Sequence, residues 1–371
     1  RALKRTKDNI NVLFSGRYPE GGVISGPEMT AKSMFEEHCV NNNSVFLQYF
    51  FDGRKYSFFK KLFGRTEEQD GRIITLGIFR IIPELRRKHP EIIHLITYER
   101  FAVIFYIYKL LFKVKILYNS HGIVRYENSE LKKIPAFYRF KDKCCEKIFL
   151  KYSDKIIFPS VNTINLAGKY YKIDENIAVI LPNGVSSVFF NNKFKPGFSG
   201  RIKAVMLYKN ELNSSALELL EKVIGRIAIP IDLFILTDMS IRLSPTEKIT
   251  FTVNKMLTVS ELPGFYEDKD IFLSINKYDT FSTSTAEAMA SGLIPVVTSQ
   301  TGISRYIQNG VNGFVFDHYD EAELPRILNE FVKMDYTEST NLRSAAIKTA
   351  NELSNVNVYR MYYELYREIT G

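Results

Sequence analysis

Cysteine is nearly absent from this chain. Cys39, Cys144 and Cys145 are the only three in 371 residues, too few and too irregular for a disulfide framework or a thiolate metal site. A bridge between the adjacent Cys144 and Cys145 would be strained, so reduced thiols in a cytoplasm are expected. Long apolar runs are missing as well. The longest, FAVIFYIYKLLF (101–112), contains Lys109 and falls short of the ~18–20 residues that a membrane-spanning helix requires. The opening RALKRTKDNINVLFSG is basic but has no sustained apolar segment and no small-residue cleavage site, so no secretory signal is expected. No Gly/Ser- or Pro-rich linker and no internal repeat interrupts the chain, and any domain boundary must be a short ordered crossing. Zinc-finger spacing and RRM-type aromatic runs are absent, which argues against a nucleic-acid partner. Neither a P-loop nor a G-x-S-x-G elbow occurs, which removes two common enzyme classes.

What is present describes a soluble globular protein. Apolar residues make up 45% and charged residues 25%, an ordinary balance, and the length suffices for two domains with separate cores. The formal charge of +9 draws the molecule towards polyanions such as phosphorylated substrates or the anionic inner face of a membrane. Short β-rich runs alternate with helix-length amphipathic ones: NINVLF, SVFLQYF, RIITLG, IIHLIT, VKILYNS, DKIIFPS and NIAVIL. The pattern pauses at LPNGVSSVFF (181–190) and restarts with IKAVMLY, IDLFIL, ITFTV, IFLSI and LIPVVTS. Strands separated by helices indicate parallel, doubly wound sheets. The expected fold class is α/β, with two Rossmann-like domains facing each other across a cleft. The expected divisions are residues 1–184, residues 185–355 and a last helix in 356–371 that can pack back on the first domain. Ligands of such sheets collect at the carboxyl ends of the strands.

The segment YDTFSTSTAEAMASG (278–292) places Asp279 and Glu287 eight positions apart across a run of hydroxyls. Ser284 and Glu287 form S-x-x-E, a capping box that predicts a helix start near residue 285. The two acids would then flank a helix N-terminus, whose unpaired N–H groups make a seat for phosphate. On residue types alone, Glu287 serving only the cap and Asp279 only a turn remains an open alternative.

The same block resembles the E-x7-E signature of retaining glycosyltransferases with the GT-B fold, especially glycosyltransferase family 4. Here it reads Asp279, seven residues, Glu287, then EAMASGLIPVV through Val297. TGISRYIQNGVNGFVF (301–316) is similar to the family's glycine turn and following strand. GRYPEGGVISGPEMTAKSM (16–34) is similar to its N-terminal glycine loop, His121-Gly122 to its histidine after a strand, and LPNGV (181–185) to its interdomain crossing. The resemblance spans nearly the whole chain.

It implies a retaining, metal-independent transfer of a sugar from a nucleotide sugar to a glycan or lipid-linked acceptor, expected in bacterial surface polysaccharide synthesis. Asp279 would grip the donor sugar and Glu287 the ribose. Backbone N–H groups at Phe281, Ser282, Thr283 and Ser284 would hold the diphosphate, with Lys209 beside them. His121 would contact the sugar, Gly22 the donor, and Gly21, Arg125 and Glu127 the acceptor. No cofactor or metal is implied; the donor is expected to be a UDP sugar, with GDP and dTDP sugars as alternatives.

Three departures stand out. Asp279 is one methylene shorter than the usual glutamate. Lys209 stands where an arginine is expected and Ser214 where a lysine is expected. Arg305 replaces a common acid. The missing cation and the shortened acid at Asp279 keep open a catalytically silent GT-B subunit that binds a partner transferase, and a nucleotide-sugar epimerase on a similar scaffold is a further alternative. DKD (268–270) imitates an Asp-x-Asp metal motif but precedes a strand instead of following one, and is expected to be a solvated turn. His94 is expected to pack at a strand end. KYSFFKKLFGR (55–65) and FYRFKDKCCEKIFLKYSDK (137–155) interleave aromatics with cations, which suits an anionic membrane surface. The first is assigned that role, giving a protein peripheral at the inner face of the membrane. The second equally fits a helix with its apolar side on the sheet.

Overall fold

A computed structural model describes residues 10–19, 25–40, 42, 44–50, 56–131, 134–191, 198, 200–209 and 211–371. The chain forms two compact units, Arg1–Pro182 with Asn355–Gly371, and Asn183–Ser354. No described helix is long and apolar enough to cross a membrane.

The first unit is built on β1 (Val12–Ser15), β2 (Val45–Tyr49), β3 (Arg65–Glu68), β4 (Ile73–Leu76), β5 (Ile92–Leu95), β6 (Lys115–Asn119), β7 (Lys155–Phe158) and β8 (Ala178–Ile180). Their order across the sheet is β3-β4-β2-β1-β5-β6-β7-β8. All pairs are parallel except β3 with β4. β1, β4 and β5 are buried along their whole length, which explains their unbroken apolar sequences. β3, with the sequence RTEE, is an exposed edge that no apolar pattern announces.

The last helix, Asn355–Thr370, belongs to this unit and is fastened by buried polar bonds as well as apolar packing. His94 exchanges hydrogen bonds with Tyr366 Oη at 2.6 Å and Asn119 Oδ1 at 2.9 Å, and Asn119 Nδ2 donates to Tyr362 Oη at 2.9 Å. His38 meets Tyr359 Oη at 2.9 Å. His94 is thus a bonded member of a network and not simply packing. Burial pushes it down to about 3, so it is neutral at ordinary pH. Tyr366→Phe leaves one imidazole nitrogen buried without a partner, and should lower stability by about 1–3 kcal/mol. A reduced urea midpoint checks this; an unchanged midpoint would show that the bond contributes nothing.

The second unit contains β9 (Ile202–Leu207), β10 (Ile231–Leu236), β11 (Ile249–Asn254), β12 (Ile271–Ser274), β13 (Ile294–Thr298) and β14 (Phe314–Phe316). They form an all-parallel sheet in the order β11-β10-β9-β12-β13-β14. Alternate side chains of β9 enter different cores, Ala204 and Met206 one and Val205 the other, as a two-residue period requires. The Asp268–Asp270 segment is not a solvated turn. Asp268 pairs with Lys203 and Lys269, while Asp270 accepts the Lys203 N–H at 2.8 Å and pairs with the fully buried Arg343 at 2.7 Å. Asp270, through Arg343, ties the helix Tyr336–Glu352 to the sheet.

Candidate active site

Strand order in the second sheet reverses between β9 and β12, and a crevice opens at the carboxyl ends of strands beside such a reversal. Lys209, Asn213, Ser274, Asn276, Asp279 and Ser284 line a depression at that point. Lys209 leaves β9 with an exposed side chain, and its N–H donates to Asn213 Oδ1 at 3.1 Å. Asp279 leaves β12 on a loop held by the neighbouring backbone, which donates Gly302 N–H to its carbonyl at 3.0 Å and Ile303 N–H to that of Phe281 at 2.7 Å. Asp279 Oδ1 accepts the N–H groups of Phe281 at 3.1 Å and Ser282 at 2.8 Å. Burial raises the Asp279 carboxyl, against those donors and the Lys209 ammonium.

The helix that follows is Thr283–Ala290. The expected capping box does not form: Ser282 is the cap residue, and no side chain caps the helix. Ser282 sits at φ 70, in the left-handed region. Its Oγ lies 3.0 Å from Ser274 Oγ and 2.8 Å from Thr285 Oγ1. Of the four N–H groups assigned to a diphosphate, those of Phe281 and Ser282 are taken by Asp279, and the Phe281 ring is fully buried in the core. The N–H groups of Thr283 and Ser284, at the first two positions of the helix, meet no protein acceptor among the described residues.

Glu287 faces inward from the next turn. It is only 8% exposed and makes no side-chain hydrogen bond among the described residues. Burial pushes its carboxyl up to about 7, with the Lys209 ammonium opposing. The Tyr266 hydroxyl, which feels the charge of Glu287, is also buried and unpartnered. Asn276 Oδ1 in the depression is a third orphan. Neither Tyr266 nor Asn276 was identified from sequence, since each stands in an ordinary apolar or loop context. A buried acid without a donor is costly, and donors from a polyol would satisfy it. Ser214 opens the helix Ser214–Val223 and brings no charge. Arg305 is exposed, with its guanidinium 5.5 Å from the Tyr306 ring.

In the first unit, His121 follows β6. Its Nε2 is buried without a partner, and burial lowers the imidazole to about 4 despite a hydrogen bond to the Ile96 backbone. Glu127 folds back against Gly122, where a Cβ would lie 1.8 Å from its Oε1. Burial, with the Glu146 charge, raises Glu127 to about 7. Arg125 is occupied otherwise: it donates to the Tyr170 carbonyl at 3.3 Å and lies 5.1 Å from that tyrosine's ring. Gly21 and Gly22 lie outside the described residues. No group of three or more His, Cys, Asp or Glu among the described residues could hold a metal ion.

A family model described as Glycosyltransferase Family 4 matches residues 58–188, and one described as Glycosyl transferases group 1 matches residues 236–352. The chain belongs to the group 1 glycosyltransferases. Solved structures give this group 1 member the GT-B fold. Sucrose-phosphate synthase from Thermosynechococcus elongatus superposes with a TM-score of 0.72 at 13% identity, over 97% of this chain and 99% of that one. Anabaena HepE in complex with UDP-glucose gives 0.69 at 12% identity, over 97% and 100%. Among curated relatives, glycogen synthase of Thermodesulfovibrio yellowstonii is 26% identical over 106 residues, which cover 29% of this chain. The match spans only 21% of the length of that relative.

Proposed function

We propose that this group 1 member is a retaining glycosyltransferase that moves a sugar from a nucleotide-sugar donor to a glycan or lipid-linked acceptor. The observation that carries the reading is the unpartnered Glu287 carboxylate one turn behind two free N–H groups and Lys209. A nucleoside diphosphate matches that set, with ribose hydroxyls for the acid and an anionic diphosphate for the N–H groups and the ammonium. Asp279 then meets the sugar. As the bond to the leaving diphosphate breaks, charge grows on that diphosphate, and Lys209 with the helix start stabilises it. These are protein groups, so the reaction proceeds without a divalent metal. His121 contacts the sugar as a neutral imidazole, and Glu127 serves the acceptor. Uridine is the preferred base, supported by HepE having been solved with UDP-glucose. The place of work is the cytoplasm, in surface polysaccharide synthesis.

Calorimetry with UDP, GDP and dTDP tests the donor assignment. Lys209→Ala should weaken binding of the preferred nucleotide about tenfold or more, with an unchanged melting point. Unchanged affinity would remove Lys209 from the site. Transfer assays should survive excess chelator, and complete, metal-reversible loss would sink the mechanism. Ser214, where a second cation was expected, supports one other reading, a silent subunit that binds nucleotide without turnover. Donor-only turnover would instead indicate an epimerase.

A further inference from the structure

The helix Ala136–Tyr152 of the first unit turns its charges apart by sign. Both acids point inward. Asp142 accepts from Tyr98 at 2.9 Å, Asn128 at 2.9 Å and Arg100 at 2.6 Å, and Glu146 accepts the N–H groups of Val124 and Arg125 and the Tyr171 hydroxyl. All five cations, Arg139, Lys141, Lys143, Lys147 and Lys151, are exposed, and none has an ion pair among the described residues. The aromatics of its first turns are outside as well, while Phe149 near its end is buried. Phe137 is 62% and Phe140 66% exposed, and the Lys141 ammonium lies 4.2 Å from the Phe137 ring. At its start the helix therefore turns aromatics to solvent. At its end Phe149 and Leu150 are buried, with the Phe149 ring 5.2 Å from that of Tyr118 on β6. The reading of an apolar side laid on the sheet with solvated lysines holds for the end and not for the start.

A second patch has the same character. The helix Phe58–Phe63 buries none of its residues, with Phe58 77% and Phe59 71% exposed beside Lys60. Its Phe63 stacks on the exposed Phe79 at 5.2 Å. Solvated proteins rarely leave such rings grouped in water.

We propose that the outer face of Ala136–Tyr152, with the Phe58–Phe63 patch, docks the first unit on a membrane surface bearing anionic lipid. The five cations and the lack of any exposed acid on the long helix demand a negatively charged partner. The projecting phenylalanines select a surface with an apolar interior, which lipid offers and a duplex backbone does not. The assignment rests on the transferase reading only in that a lipid-linked acceptor would be met at this surface.

Flotation with vesicles of phosphatidylglycerol and phosphatidylcholine, against phosphatidylcholine alone, tests it. Wild type should be recovered with the anionic vesicles alone, and raised salt should release it. Lys141→Glu/Lys147→Glu should lower recovery at least about tenfold, and Phe137→Ser/Phe140→Ser should lower it with the charges kept. Circular dichroism and UDP calorimetry on both variants separate docking from folding and from nucleotide binding. If UDP fails to bind wild type, the donor reading fails while flotation still decides the surface. Equal recovery from the two vesicle types, or recovery indifferent to both variants, overturns the proposal. So would charge-dependent binding to an oligonucleotide with no recovery on vesicles.

Discussion

Glu287→Ala is expected to weaken UDP binding by about one to two orders of magnitude, the range for bonds to a charged acceptor, while leaving the unliganded fold at least as stable. Both halves follow from the same observation. The Glu287 side chain is only 8% exposed and has no protein donor among the described residues, so in the empty site its desolvation is offset only by the charge of the Lys209 ammonium. It is not a helix cap, so no capping energy is lost with it. Calorimetry and thermal unfolding of the variant read the two effects separately. Wild-type affinity in Glu287→Ala would exclude the residue from ribose recognition.

The pH dependence gives a sharper form of this result. Glu287 titrates at about 7 in the folded protein, above the ~4.3 of an unfolded glutamate. Between those values the folded chain binds the extra proton, so its contribution to stability falls as pH rises. Glu287→Gln removes that contribution, and Glu127, also raised to about 7, leaves part of the decline in place. Ribose hydroxyls donate to the ionised form and favour it. UDP affinity should therefore rise with pH up to about 7 and then level, with proton release on binding in that range. In Glu287→Gln the Glu287-linked part of the rise and of the proton release should vanish. A profile identical to wild type would mean that another group governs it.

The alternation of apolar runs made both sheets legible from sequence, because parallel strands buried on two faces have to be continuously apolar. β3 was not legible, since an edge strand pairs through its backbone and RTEE carries no such mark. The S-x-x-E pattern misled for a physical reason. Asp279 takes the N–H groups of Phe281 and Ser282, which turns Ser282 into the left-handed region and starts the helix at Thr283. Glu287 then falls beyond reach of the cap. In Ala136–Tyr152 the composition was visible but its direction was not. The partners of Asp142 and Glu146, together with the burial of Phe149 and Leu150, determine which side faces inward.

Asp279→Asn and Asp279→Ala should separate two roles that the sequence merges. Asn retains a carbonyl oxygen that can accept from Phe281 and Ser282, so the loop, the left-handed Ser282 and the free N–H groups of Thr283 and Ser284 should persist. The melting point and UDP affinity of Asp279→Asn should stay close to wild type. Its turnover should fall by about two to three orders of magnitude, as for loss of a preorganised group at the reacting centre. Alanine removes the acceptor as well. Ser282, whose backbone region costs on the order of 1–3 kcal/mol, is then free to relax, and the helix start moves with it. Asp279→Ala should therefore lose UDP affinity as well as turnover. Steady-state kinetics beside UDP calorimetry reads the split. Wild-type turnover in Asp279→Asn would reduce Asp279 to a turn residue and leave its charge without a part in the chemistry.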